Sequence, residues 1–237
     1  MVVNSKLSPE RLVEFKTGAT DENAKIAAAI KDIMPPSQGG IIVDAGAGLG
    51  DIAAMAFPDR AADLVDILQF PANGVALHRT LQVDLFEYRL DPAVSHIDVM
   101  LMSHVLQYVD DDPVSLQRCI ERLAPRHVIT VTNEDTDLNR EIKNWYAQNE
   151  ITENSEHDID DIVLSRYDVV SSIKISGIIR AFDELALARF MSSMIFDSEL
   201  YGPDFEKFAF FLKSIVGSSE LSIPQDIILY QRKAENE

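Results

Sequence analysis

Ile41-Ile42-Val43-Asp44-Ala45-Gly46-Ala47-Gly48-Leu49-Gly50-Asp51-Ile52-Ala53-Ala54-Met55-Ala56 is the stretch whose reading decides the fold. Three apolar residues run into a carboxylate, three glycines follow at alternate positions, and a small-residue segment of helical character begins at Asp51. The pattern predicts a buried strand, a tight loop and a helix start. Glycine adopts positive φ without a Cβ penalty and lets the backbone approach a ligand closely. The first N–H groups of the helix have no partner within it and turn toward the same crevice.

The order acid, any residue, Gly, any, Gly, any, Gly resembles motif I of the class I S-adenosylmethionine (SAM) methyltransferases. The resemblance implies that Asp44, Gly46, Ala47, Gly48 and Gly50 bind SAM and its product S-adenosylhomocysteine. A dinucleotide-binding loop competes, but it wants Gly-x-Gly-x-x-Gly or Ala. Here the third glycine arrives one position early, and Asp51 would repel a pyrophosphate. A phosphate loop of the Walker type is excluded because no Gly-Lys-Ser/Thr follows. SAM carries a positive sulfonium and no phosphate, so an acid-rimmed loop suits it. The plain alternative is a glycine turn with no ligand.

Composition narrows the function. With 237 residues and 46% hydrophobic residues, one domain over residues 1–237 is expected, with an N-terminal helical segment at 1–38 and a lid-like insertion near 183–220. No run approaches the ~20 apolar residues of a membrane span. The single cysteine, Cys119, fits a reducing cytoplasm and reads as a buried structural thiol. The formal charge is −18, from 21 Lys plus Arg against 39 Asp plus Glu, with no basic run. Nucleic acids and anionic membranes both demand a positive face, so neither is expected as a partner. A neutral or cationic small molecule is the better fit, with the protein a monomer or homodimer.

The remaining chain alternates strand and helix patterns, as in a mainly parallel sheet covered on both faces. Strands are expected at Ile41–Val43, Ala62–Leu68, Leu77–Val83, Ile97–Met102, His127–Thr132, Val169–Ile179 and Asp226–Tyr230. Helices are expected at about Pro9–Asp32, Pro113–Leu123 and Leu138–Gln148, the last with Asp137 as its cap. Two more helical stretches lie between Asp183 and Val216, broken at Tyr201-Gly202-Pro203. The resemblance implies a Rossmann-like α/β fold with a seven-stranded sheet whose last strand is antiparallel.

Two further strand-end acids stand in the order such a site needs. Asp66 closes the second strand and can accept both ribose hydroxyls, which places Ile67 against the adenine. Asp84 follows the third strand and can take the adenine amino protons while the Leu85 N–H reads a ring nitrogen. Each alone could be an ordinary strand-end or turn acid. At the end of the fourth strand, the resemblance puts backbone groups of Met102 and Ser103 beside the methionine part of SAM, with His104 facing the crevice.

The run from Met102 to Asp111, with Pro113 and its helix, resembles the small-molecule amine methyltransferases related to histamine N-methyltransferase. Ile178-Ile179-Arg180-Ala181-Phe182 and the closing Asp226-Ile227-Ile228-Leu229 extend that resemblance. In that family a Gln that touches substrate occupies the position of His104. Candidate substrate contacts are therefore His104, Tyr108, Asn133 and Phe15. His104 is also the candidate catalytic residue, since a histidine near neutral pH can receive a proton. Acids at Glu134, Asp135 and Asp137 could attract an ammonium substrate or simply form a solvated loop. Asp110-Asp111-Asp112 lacks the spaced ligands of a calcium loop, and His78, His96, His127 and His157 lack metal-ligand spacing; no metal is expected.

The expected activity is SAM-dependent methyl transfer to a small molecule, with an amine nitrogen as the leading acceptor. An O-methyltransferase, a non-catalytic scaffold of the same fold, and a nicotinamide dehydrogenase are the alternatives.

Overall fold

The computed structural model describes residues 20–37, 39–71, 74–105, 113–134, 136–149, 166–181, 184–185, 187–188, 191 and 202–234. Among the described residues there are seven strands: β1 (Ile41–Ala45), β2 (Ala62–Asp66), β3 (His78–Gln82), β4 (Ile97–Ser103), β5 (His127–Asn133), β6 (Tyr167–Arg180) and β7 (Glu220–Arg232). The helices are α1 (Glu22–Ile33), α2 (Asp51–Ala56), α3 (Pro113–Leu123), α4 (Asp137–Gln148) and α5 (Gly202–Val216).

The strands form one sheet in the order β3-β2-β1-β4-β5-β7-β6. β1 to β5 pair in parallel, and β7 runs antiparallel to β5, with Asn133 opposite Gln225. The chain returns from β3 past β1 to β4, so the strand order reverses between β1 and β4. In open α/β sheets the carboxyl ends of the strands at such a reversal frame the ligand crevice.

Alternation along the strands builds two apolar layers. On one face Val43, Ala45, Met100 and Met102 pack with Leu116, Cys119 and Ile120 of α3. On the other, Ile42, Leu101 and Val131 pack with Ile26 and Ile30 of α1 and with Ile52 and Ala53 of α2. Cys119 is buried as expected, and that burial pushes its thiol above the usual range. A charged group is also built into the sheet. Asp63 accepts two bonds from Arg79, at 3.0 and 2.7 Å, and one from the Tyr88 hydroxyl at 2.7 Å. These bonds offset the cost of burying the carboxylate. Arg79 is raised by its bond to Asp63, and Tyr88 is raised first by burial.

The chain divides into two compact units, one within residues 1–22, 134–155 and 176–224, the other within 23–133, 156–175 and 225–237. The layers above belong to the second. The first holds its own core of Ile142, Tyr146, Phe208 and Leu212, with Trp145 stacked on Phe211 at 5.7 Å. Phe205, Phe208 and Phe211 therefore serve that core, while Phe210 is exposed.

Several boundaries differ from expectation for local reasons. Residues 20 and 21 are not helical: Thr20 Oγ1 accepts from Glu22 N–H at 3.0 Å, and Asp21 Oδ1 accepts from Ile178 N–H at 2.8 Å. The cap of α4 is Thr136, not Asp137, because the extended Thr136 turns its hydroxyl to the Asn139 N–H at 3.1 Å. β2 stops at Asp66 rather than Leu68, since Leu68 N–H bonds back to the Asp66 carboxylate. β7 begins at Glu220, six residues before Asp226, and carries Pro224, whose carbonyl accepts from Glu134 N–H at 2.9 Å.

Candidate functional site

The glycine loop grows directly from the end of β1. Gly46 and Ala47 donate to the carbonyl of Val65 on β2 at 2.8 and 3.2 Å, which pins the loop to the neighbouring strand. Gly46, Gly48 and Gly50 have φ of 67°, 54° and 69°, so all three occupy the left-handed region that glycine enters freely. Gly46 is constrained further: a Cβ there would collide with Val105 Cγ2 and stand 2.9 Å from Val105 Cβ. The backbone and Val105 thus meet at a separation that no side chain fits. Gly50 then caps α2 from the left-handed region.

Asp66 is the element that closes this loop. One carboxylate oxygen accepts the Gly48 N–H at 2.9 Å and the other accepts the Leu68 N–H at 2.9 Å. A single side chain therefore ties the middle of the glycine loop to the turn after β2. Each oxygen keeps a second lone pair, so the carboxylate can still receive a ligand hydroxyl. Ile67 beside it is 41% exposed, leaving an apolar side chain open at the strand end.

Asp84 is exposed and accepts from Phe86 N–H at 2.9 Å through Oδ1. That is a turn-forming bond within its own loop. Leu85 and Met102 are buried in the layer against α3, so only their backbones are available. Asp44 is also buried, at 3% exposure, within β1. Phe15 and Tyr108 lie outside the described residues, as do Asp110-Asp111-Asp112 and His157.

A second polar group sits at the ends of β4 and β5 and beside the middle of β7. Ser103 Oγ and Asn133 Oδ1 are buried and have no hydrogen-bond partner among the described residues. A buried polar atom left unmatched is costly, and such atoms gather where a ligand is received. His104 follows Ser103 with φ of 53°, a left-handed conformation uncommon outside glycine. Its N–H donates to Val131 O at 3.1 Å, which anchors the turn to β5. Its ring Nε2 lies 3.1 Å from Gln225 Nε2, and Gln225 is completely buried on β7. Gln225 was not visible in the sequence as a site residue. Only its register opposite Asn133 brings it to His104.

The structure therefore joins Asp66 to the loop of Gly46, Gly48 and Gly50 through Gly48, and brings Gln225 to His104 near the ends of β4 and β5, where Ser103 and Asn133 lie. The first offers a loop of three left-handed glycines with a carboxylate at its rim, which could receive the hydroxyls of a ribose. The second offers unmatched polar atoms beside it. Among the described residues no set of three or more His, Cys, Asp or Glu side chains could hold a metal ion. No described helix is long and apolar enough to cross a membrane.

No protein-family model matches the chain, and no curated protein matches it. Solved structures do. A candidate methyltransferase from Bacillus halodurans superposes with a TM-score of 0.63 at 9% identity, over 88% of this chain and 99% of that one. The YcgJ protein from Bacillus subtilis gives 0.60 at 11% identity, over 90% and 100%. A geranyl diphosphate methyltransferase solved in complex with SAM gives 0.54 at 14% identity, over 95% and 90%. At these identities the likeness is one of fold, and that fold is the class I methyltransferase fold.

Proposed function

We propose that this chain is a SAM-dependent methyltransferase acting on a small-molecule acceptor. The observation that carries the reading is the Asp66 carboxylate bonded to Gly48 N–H within a loop of three left-handed glycines, at the point where the strand order reverses. Asp44, Gly46, Ala47, Gly48 and Gly50 would line the cofactor, Asp66 would take the ribose hydroxyls, and Ile67, Asp84 and Leu85 would frame the adenine. The carboxylate of Asp51, at the start of α2, disfavours a dinucleotide pyrophosphate.

SAM, when bound, supplies an activated methyl on a positive sulfonium with a good leaving group. What remains for the protein is to hold the acceptor in line, close and dry. Ser103, His104 and Asn133, at the ends of β4 and β5, would do so. Val105 packs against Gly46. The formal charge of −18 favours a neutral or cationic acceptor over a nucleic acid. An amine is the leading class and an O-methyl acceptor is the second reading; His104 could serve either.

The test is calorimetric titration with SAM, S-adenosylhomocysteine and NAD(H) in parallel. Micromolar binding of the two sulfur ligands without NAD(H) is the expected result. Binding of NAD(H) alone would replace the proposal with a dehydrogenase, and binding of none would leave a scaffold without cofactor.

A further inference from the structure

We propose that the amino end of β5 carries a second binding site, for a phosphate-class oxyanion, held by Arg126, His127 and Arg232. It goes beyond the proposed methyl transfer and does not depend on it.

The site is a product of register. β5 and β7 pair antiparallel, with His127 opposite Gln231. One step further out, the Arg232 N–H donates to Arg126 O at 2.9 Å, which sets those two residues opposite each other as well. Two arginines therefore meet across the end of the ladder. Like charges directly opposite destabilise a sheet, and an oxyanion held by both removes that repulsion. A cavity of about 280 Å³ opens at this spot, lined among the described residues by Pro35, Arg126, His127, Gln231 and Arg232. That lining holds no described acid. β5 is seven residues long, roughly 20 Å of extended chain, so the cavity lies at the far end of the strand from Asn133.

His127 is buried and held from behind. Its Nδ1 stands 3.2 Å from the backbone oxygen of Asp98. A carbonyl oxygen only accepts, so Nδ1 carries the proton of the neutral ring and Nε2 is the nitrogen left to meet a ligand. A phosphate that keeps a proton can donate it to Nε2 while its other oxygens accept from the guanidiniums. The Asp98 carboxylate behind the ring is paired with Arg60 at 2.7 Å, which balances its charge.

Arg126 and Arg232 take part in other interactions of the protein as well. A guanidinium carries five N–H donors and grips an oxyanion through two of them, so an anion can share it with other partners. The formal charge of −18 repels anions at long range. Binding then comes from the close donors alone, and the loss of either arginine is felt directly. The volume falls just below the roughly 300–1,000 Å³ of pockets for drug-sized ligands, which points to inorganic phosphate or a short phosphomonoester.

The test is calorimetric titration of the full chain at neutral pH and low ionic strength with inorganic phosphate, glycerol phosphate and, at matched ionic strength, sodium chloride. A saturable one-to-one isotherm with a phosphate probe, absent with chloride, is the expected result. Arg126→Gln and Arg232→Gln should each weaken that binding by roughly 10- to 100-fold. Gln231→Glu puts an acid into the lining at an exposed position and should abolish it, and serves if an arginine variant folds poorly. Tighter binding of glycerol phosphate would identify a phosphorylated small molecule as the ligand, and tighter binding of phosphate the free ion; both uphold the site. No saturable heat with either probe, a heat matched by chloride, or unchanged affinity in the three variants would overturn the proposal. None of these probes is an adenosyl compound, so a protein that fails to bind SAM would sink the proposed function and leave this inference to its own result.

Discussion

Replacing Asp66 with Ala tests the centre of the site. The native carboxylate accepts two backbone N–H groups, from Gly48 and Leu68, each at 2.9 Å. Hydrogen bonds to charged groups contribute about 1.5–3 kcal/mol when desolvated, and less where water can replace the lost partner. Asp66 is half-buried at an open strand end, so water reaches both freed N–H groups. The stability loss should therefore total about 1–2 kcal/mol, a fall of roughly 2–8 °C in Tm for a chain of this size. Loss of the ribose bonds should weaken SAM by about 1–3 kcal/mol, or roughly 5- to 150-fold in Kd. Asp66→Asn should resemble Ala more than Asp, because its amide can accept one N–H but sets a donor against the other. Calorimetric titration and thermal melts on the same preparations separate the two effects. A lowered Tm with SAM affinity within twofold of native would refute the reasoning, leaving Asp66 as a loop latch that never meets the ligand.

Gly46→Ala should cost about 1–3 kcal/mol by melting, from the left-handed φ and the collision with Val105, and Val105→Ala should restore part of it. Persistence of the full defect in the double variant would mean that backbone strain alone is responsible. His104→Ala should lower methyl transfer while leaving SAM affinity within about twofold, whereas collapse of SAM binding would place His104 in the cofactor site. Tyr167 is buried, its hydroxyl donates to Pro125 O at 2.8 Å, and burial pushes it up to about 12. An unfolded tyrosine ionises near pH 10 while the folded one does not, so stability is intact below about pH 10 and drains away toward pH 12. Urea titrations of Tyr167→Phe from pH 8 to 11.5 should give lower stability at pH 8 but a shallower alkaline decline; parallel curves would remove Tyr167 from the effect.

The parts legible in the sequence were those written locally. Asp44-x-Gly46-x-Gly48-x-Gly50 displayed strand, loop and helix in one run, and the apolar stretches at Ile97 and His127 could be read as buried strands because both faces of a covered sheet are apolar. Pro113–Leu123 was legible from its proline start and helical spacing. What escaped was set by contacts distant in sequence. Gln225 lies 121 residues from His104, and nothing near it in the chain suggests a partner. The first half of β7 was hidden by Ser222 and Pro224, which dilute the strand pattern. Thr136 and Asp137 are both good caps, and only the extended backbone of Thr136 decides between them. For Asp66 the sequence displayed a candidate ribose ligand, but its bond to Gly48 is a tertiary contact that spacing cannot reveal.

The Gly48–Asp66 bond also bears on timing. A loop that is already fastened to the neighbouring strand has no ordering step to complete when a ligand arrives. Association in stopped-flow mixing should then follow a single exponential whose rate rises linearly with ligand concentration. Cutting the tie with Asp66→Ala should introduce a concentration-independent plateau, as the loose loop must first find its bound form.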